Sequence, residues 1–181
     1  MKVCILGNNL TSLTLAKTLV NLEINVEALY IKKKSIITKN RTIGISKSNI
    51  NFFNEKIINI SQLLWKIKKI EIFCDNLTGE KLINFEKKKE QLFSIVKNHN
   101  LYKILNDSLS KNKLYNSKIF SKKNLLLIHS YDLVINCDPQ NIITNKFFSK
   151  KITKKYNNQA HITIIKHKKI TNNIATQIFT K

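Results

Sequence analysis

The sequence predicts an α/β protein, and three observations carry the prediction. Residues 2–6 form an apolar strand that runs into Gly7 and at once into a helical stripe. A second apolar strand, residues 24–31, follows within about 30 residues, the span of a βαβ unit with its right-handed crossover. The rest of the chain alternates short strand patterns with one clear amphipathic helix. The first stripe is Leu10, Leu13, Ala16 and Val20, with Lys17 and Asn21 on the opposite side. Thr42 to Ser46 reads as a short strand, and Ser48 as the cap of a helix carrying Ile50, Phe53 and Ile57. Residues 66–74, 80–86 and 92–96 alternate as strands. In residues 99–112, Leu101, Ile104, Leu105 and Leu109 line one helix face. Residues 124–130 and 131–137 read as two strands, and 159–169 and 173–181 as two more, expected to pair antiparallel.

The chain has 181 residues, 43% of them apolar, which suffices for a real core in a domain of ordinary size. The net charge of +21 raises a nucleic-acid reading. Of the 32 basic residues, however, only Arg41 is an arginine, and the lysines are spread along the chain with abundant Asn and Ile. Such a distribution indicates solvated lysine faces rather than a polyanion site. Cys4, Cys74 and Cys137 are odd in number and far apart, with neither metal spacing nor a disulfide framework, which fits a reducing cytoplasm. His161 and His167 share a strand face but lie about 20 Å apart, too far for one metal. No run of 18 apolar residues occurs.

The turn GNNLTS carries the first functional signal. In a Rossmann-type turn three glycines provide the bend, the approach to pyrophosphate, and close helix–strand packing. Gly7, Asn9 and Ser12 hold those places. Asn is the residue that best tolerates positive φ after glycine. Ser12 is small, and its hydroxyl is placed either to bond the backbone or to reach a phosphate. The helix N-terminus behind the turn attracts an anion whatever the side chains. The acidic residue expected to bind a ribose hydroxyl at the end of the second strand is missing, since Tyr30, Ile31 and Lys32 stand there. Glu27 falls mid-strand and reads equally as a strand glutamate in solvent, while Tyr30 offers a hydroxyl in compensation.

Two further residues stand out. Arg41 is the one arginine in a chain where lysine serves every general role, which points to a planar bidentate contact with phosphate. Asp138 ends an apolar strand at its carboxyl edge, where α/β sheets place ligands, or is a turn aspartate before Pro139.

Taken in order, residues 3–19, RTIGIS (41–46), 63–73, 94–105 and YDLVINCDPQN (131–141) resemble the FAD-dependent aromatic hydroxylases of ubiquinone biosynthesis, relatives of para-hydroxybenzoate hydroxylase. The resemblance covers the whole chain but only the N-terminal half of such an enzyme, so the chain reads as truncated. It implies a Rossmann-like FAD-binding βαβ unit interleaved with a mixed or antiparallel β-sheet substrate region. The expected divisions are 1–60 for the βαβ unit and Arg motif and 61–130 for a β-rich inserted region with one helix. Residues 131–155 return to the FAD-binding sheet, and 156–181 begin the substrate-domain sheet.

The implied chemistry is reduction of FAD by NAD(P)H or another donor, followed by hydroxylation of a phenol ring. The resemblance implies FAD contacts at Gly7, Asn9, Ser12, Arg41, Asn98 and Asp138, and Asn8 and Tyr30 are further candidate contacts of the same site. It assigns no catalytic residue. Pro139 replaces the glycine of an Asp-Gly motif, and Ile142 stands where serine is usual. The implied partners are a prenylated quinone precursor, the missing C-terminal half, and other proteins of the ubiquinone pathway. The implied location is a bacterial cytoplasm with peripheral contact at the inner membrane. The alternatives are a non-catalytic relative serving as a binding or scaffold module, and a basic nucleic-acid-binding protein.

Overall fold

The computed structural model describes residues 1–31, 39–74, 80–86, 90–120, 129–139, 141, 143–144, 152, 154–165 and 172–180. The first layer is a parallel sheet of β1 (Lys2–Leu6), β2 (Asn25–Tyr30), β8 (Tyr115–Ile119) and β9 (Leu133–Asn136), in the order β8-β2-β1-β9. β1 pairs with β2 from Lys2↔Asn25 to Leu6↔Leu29, and with β9 from Val3↔Leu133 to Leu6↔Asn136. Val3, Cys4, Ile5 and Leu6 are buried in succession because β1 is covered on both faces, as an inner parallel strand must be.

Two helices cover one face. On α1 (Leu10–Asn21), Leu13, Ala16 and Val20 are buried at spacings of one and two turns. On α3 (Asn98–Ser110), Leu101, Leu105 and Leu109 form a stripe every four residues. Each such leucine removes enough apolar surface from water to contribute about 2–3 kcal/mol. Their core extends through Ile45 and Val96 into a second, antiparallel sheet of β3 (Thr42–Ser46), β4 (Trp65–Ile67) and β7 (Phe93–Lys97), in the order β3-β7-β4. A third sheet has the order β10-β5-β6, built from β5 (Lys69–Cys74), β6 (Lys81–Glu86) and β10 (Ile174–Phe179).

The structure corrects several sequence expectations. Ser46, not Ser48, caps α2 (Lys47–Phe52), because its Oγ accepts from the Asn49 N–H. The helix then continues as a π-helical turn, Phe53–Ile57, whose last carbonyls, of Lys56 and Ile57, accept from the Asn21 side chain. The 66–74 run is split at Lys68 between two sheets. Residues 159–165 take no strand pairing, and 166–169 lie outside the described residues. β10 forms no antiparallel pair with residues 159–165 and runs parallel to β5. Of the strand expected at 124–130, residues 124–128 are outside the described set, and His129 and Ser130 form a helical turn. β8, absent from the sequence reading, lies within the 61–130 stretch yet joins the first sheet beside β2.

α1 ends in a Schellman motif: the Glu23 N–H reaches Val20 O at 3.1 Å and the Ile24 N–H reaches Leu19 O at 3.1 Å. This requires Glu23 to adopt φ 61°, a conformation that costs a side-chain-bearing residue about 1–2 kcal/mol. Glu23→Gly is therefore expected to stabilise the protein by about 0.5–1 kcal/mol, seen as a raised urea midpoint at unchanged slope. An unchanged or lowered midpoint would refute this account of the helix end.

Candidate functional site

Three strand ends meet at the β1–α1 turn. The Gly7 N–H donates to Leu29 O at 2.9 Å, and the Cys137 N–H donates to Leu6 O at 2.8 Å. Gly7 has φ 130°, and a Cβ placed on it would lie 3.4 Å from both the Asp138 N and the Cys137 carbonyl carbon. The conformation demands glycine here, since a Cβ would find ordinary van der Waals contact but the φ is one that other residues rarely adopt.

Asn9 does not do what its replacement of a glycine suggested. Its φ is −121°, ordinary extended backbone, so tolerance of positive φ is not the reason for asparagine. It is the N-cap of α1. Its Oδ1 accepts from the Ser12 N–H at 3.0 Å, and the Ser12 Oγ accepts from the Asn9 N–H at 2.8 Å, a reciprocal capping box. The Asn9 Nδ2 donates to Cys137 O at 2.7 Å and ties the helix start to β9. Of the alternatives for Ser12, the structure shows the backbone bond. With Ser12 and Asn9 engaged in the cap, the Leu10 and Thr11 N–H groups remain as the helix-end donors for an anion.

α3 carries the connection onward. The Tyr102 hydroxyl donates to the Asn8 Oδ1 at 2.9 Å. One turn earlier, the Asn98 N–H donates to the Arg41 carbonyl at 2.9 Å. Asn98 is the first residue of α3, one residue before the helix expected over 99–112. Its Oδ1 is buried and has no hydrogen-bond partner among the described residues, and the same holds for the His99 Nδ1. The Arg41 residue is exposed, and its guanidinium makes no ion pair with a described carboxylate. Tyr30 ends β2, where its carbonyl accepts from the Phe120 N–H at 2.7 Å. Burial raises the Tyr102 hydroxyl above its ordinary pKa, opposed by the Asn8 bond, with the nearby Tyr30 adding to the rise.

Asp138 follows β9 in a polar turn. Its N–H donates to the Asn136 Oδ1 at 3.1 Å, and its carbonyl accepts from the Thr144 hydroxyl at 2.9 Å. Asn141, buried, donates from Nδ2 to the same Asn136 Oδ1 at 2.7 Å and accepts from the Thr144 N–H at 2.8 Å. Ile142 lies outside the described residues. The space between Gly7, Leu29, Phe120, Asp138 and Asn141 is only about 10 Å³, room for about one water. A dinucleotide would therefore lie along the open rim of the turn rather than within this gap.

Glu27 is not in solvent. It is 6% exposed on the sheet face opposite the helices, 3.1 Å from the Lys2 Nζ and 2.7 Å from the Lys118 Nζ. Burial pushes its carboxyl upward, but the hydrogen bonds and charges of Lys118 and Lys2 outweigh this and hold it below the ordinary range. The Lys2 ammonium also sits 4.7 Å from the centre of the Tyr131 ring. Burial, reinforced by Glu27, raises Cys4 to about 11 and Tyr131 to about 12.

The structure thus brings Gly7, Asn8, Asn9, Ser12 and Asp138 to one end of the parallel sheet. Arg41 and Asn98 form a second group, joined to the first through α3. The sequence reading missed Tyr102 and the Asn136–Asn141–Thr144 network. Tyr102 falls four residues after Asn98, on the same helix face, and Asn136 breaks an otherwise apolar strand end; those were the available signals.

No protein-family model matches the chain, and no curated protein matches it in sequence. Solved structures do match its fold. PqsL, a probable FAD-dependent monooxygenase from Pseudomonas aeruginosa, superposes with a TM-score of 0.63 at 10% identity, over 86% of this chain and 48% of its own. The p-nitrophenol 4-monooxygenase PnpA from Pseudomonas putida gives 0.54 at 12% identity, over 65% and 31%. Klebsiella pneumoniae HpxO, solved with FAD and uric acid, gives 0.51 at 13% identity, over 65% and 30%. The chain shares the fold of the matching part of these structures. The chain spans about half the length of PqsL.

The Glu27 cluster sets an acid limb of stability. The folded carboxyl titrates below its ordinary value of 4.5, so the unfolded chain takes up the proton first as pH falls. The contribution is complete above about 4.5 and is lost as pH drops through the folded value. Glu27→Gln is expected to cost about 1–3 kcal/mol near neutrality. It should also flatten the fall in urea-unfolding free energy below that pH; parallel acid limbs in the two proteins would contradict the assignment.

Proposed function

We propose that the chain is the FAD-binding portion of a flavin-dependent monooxygenase that hydroxylates an aromatic ring of a ubiquinone precursor. The observation that carries the reading is the convergence of the Gly7 turn with Asp138 at the carboxyl ends of β1 and β9, with Arg41 and Asn98 joined to it by α3. Ligands of open α/β sheets bind outside these strand ends. The buried, unpartnered Asn98 Oδ1 fits a bound group, because a buried acceptor without a donor costs about 1–3 kcal/mol. The resemblance of the ordered segments from 3–19 to 131–141 to the ubiquinone hydroxylases is what suggests the substrate.

In this reading the Leu10 and Thr11 N–H groups take the pyrophosphate, and the Arg41 guanidinium takes a phosphate oxygen pair. Tyr30 stands at the ribose position, Asn98 on the flavin side, and Asp138 at the rim between them. FAD, once reduced by NAD(P)H or another donor, supplies the oxygen-activating chemistry. The chain's own residues bind and orient it. A prenylated precursor as substrate would bring the protein into peripheral contact with the inner membrane.

Titration of flavin fluorescence tests the reading. The protein, alone or with the remaining half of the fold, is expected to bind FAD. Arg41→Ala should weaken binding by about 10-fold or more, and Arg41→Lys by less, since lysine keeps the charge but not the bidentate fork. No FAD binding in either setting would overturn the proposal.

A further inference from the structure

A cavity of about 610 Å³ opens where the second and third sheets meet, at the Lys68 break between β4 and β5. It is lined by Trp65 and Lys66 of β4, Lys68 beyond it, Lys47 at the start of α2, Glu90 ahead of β7 and Asn173 ahead of β10. Hydrogen bonds fix its rim. The Lys68 N–H donates to Asn173 O at 2.8 Å, and the Trp65 Nε1 donates to Asn172 O at 2.9 Å. β4 is an edge strand of its sheet among the described residues, so residues from both of its faces border a space at that edge. Trp65 is the one tryptophan of the chain and is 49% exposed. Its single hydrogen-bonding group is engaged by Asn172, so what it offers a ligand is the ring. Lys47 is paired with Glu90 at 3.5 Å, whereas Lys66 and Lys68 make no ion pair with a described carboxylate. An aromatic ring and two uncompensated ammonium groups thus share one cavity, whose volume falls in the range of about 300–1,000 Å³ that takes small molecules.

We propose that this cavity binds a free nucleoside di- or triphosphate, with the base stacked on Trp65 and the phosphates held by Lys66 and Lys68. An aromatic ring accepts any base by its π-face, and lysine ammonium groups bind phosphate as point charges. A nucleic-acid strand fits less well. Proteins that hold strands present successive aromatic rings along a basic groove, and among the described residues one ring lines this cavity. A membrane surface also fits less well, because an interfacial tryptophan keeps its N–H for the wet side, and this one is bonded to the Asn172 backbone. The site is separate from the β1–α1 turn and does not depend on the flavin reading. Arg41 and Asn98 adjoin one end of the β3–β7 pair, and Lys47 and Glu90 lie beyond the other, about 15 Å away across five-residue strands.

Titration with ADP, read by tryptophan fluorescence, tests this directly, because Trp65 is the sole emitter of its kind. Saturable quenching is expected, with adenosine and inorganic pyrophosphate each weaker by about 10-fold or more, since each meets only half of the site. The double variant Lys66→Ala/Lys68→Ala should weaken ADP by about 10-fold or more at an unchanged melting temperature, because both residues are exposed. By calorimetry, Trp65→Leu should weaken ADP by a similar factor, while Trp65→Phe, which keeps a ring, should stay within about threefold. Arg41→Ala should leave the ADP affinity as it was. Pyrophosphate binding as tightly as ADP would mean an adventitious ion only. Loss of ADP binding in Arg41→Ala but not in the lysine variant would move the nucleotide to the β1–α1 turn. Tighter binding of an adenine oligonucleotide than of ADP would make the cavity part of a strand groove. Each of these results, like the absence of saturable quenching, would overturn the proposal.

Discussion

Everything that bears on function here depends on how tightly the β1–α1 turn is drawn against the end of β9. At Gly7 the backbone takes a φ of 130°, and a Cβ placed there would be in van der Waals contact with Cys137 and Asp138. The Gly7 N–H is held by β2, while the Leu6 carbonyl, one residue earlier, is held by β9. Three strand ends are therefore registered by two hydrogen bonds and one missing side chain. A side chain at this position would have to hold the strained positive φ or abandon it, and abandoning it redirects the turn that faces Asp138. The proximity of Asp138 to Asn8 and Asn9 is thus a consequence of backbone packing.

The two other glycine positions of such a turn are met by a different device. Asn9 keeps extended backbone and uses both ends of its amide: the oxygen caps α1, and the nitrogen grips the carbonyl at the end of β9. Ser12, almost fully buried, returns the cap and is small enough to sit against the sheet. Where glycine would let backbone approach by absence, Asn9 joins helix and strand by presence. The cost falls on anion binding, because two donors of the helix end are satisfied internally. The helix dipole is untouched, and the next N–H groups still point outward. Tyr102 adds a second tie, fixing the Asn8 side chain to α3 and so holding the turn from the opposite side.

How far the sequence disclosed this arrangement follows from the range of the interactions involved. β1, α1 and β2 were legible because apolar periodicity and the Gly7 turn are local signals. α3 was legible for the same reason, expected over 99–112 and found over Asn98–Ser110. The α2 cap was displaced by two residues because Ser46 and Ser48 are both capable caps, and the choice depends on where β3 ends. β8 was not legible: Tyr115–Ile119 is short and largely polar, and only its pairing with β2 makes it a strand. β10 was recognised as a strand, but its parallel partner, β5, lies about a hundred residues earlier, a distance over which pattern carries no pairing information. At the strand ends, residue type and spacing marked Gly7, whose positive φ the structure shows. The capping role of Asn9 is local, an Asn followed three residues later by Ser, and was overshadowed by the glycine pattern; its tie to Cys137 and the burial of Glu27 are tertiary facts.

Glu27 shows what the lysine excess does to such a fold. With 11 acidic residues against 32 basic ones, most lysines can only be solvated, and the charge balance within the structure rests on the scarce carboxylates. Glu27 draws Lys2 and Lys118 together across three strands of the first sheet, and Glu71 draws Lys69 and Lys81 together across two strands of the third. Each carboxylate faces two ammonium groups. Losing a lysine leaves the pair intact, because the second cation remains and the site stays neutralised. Losing the carboxylate leaves two cations facing one another, at Glu27 beside a largely buried strand centre, so the loss costs more than one bond. The asymmetry makes the positions of the few acids, and not the many lysines, the electrostatic determinants of how the strands stay in register.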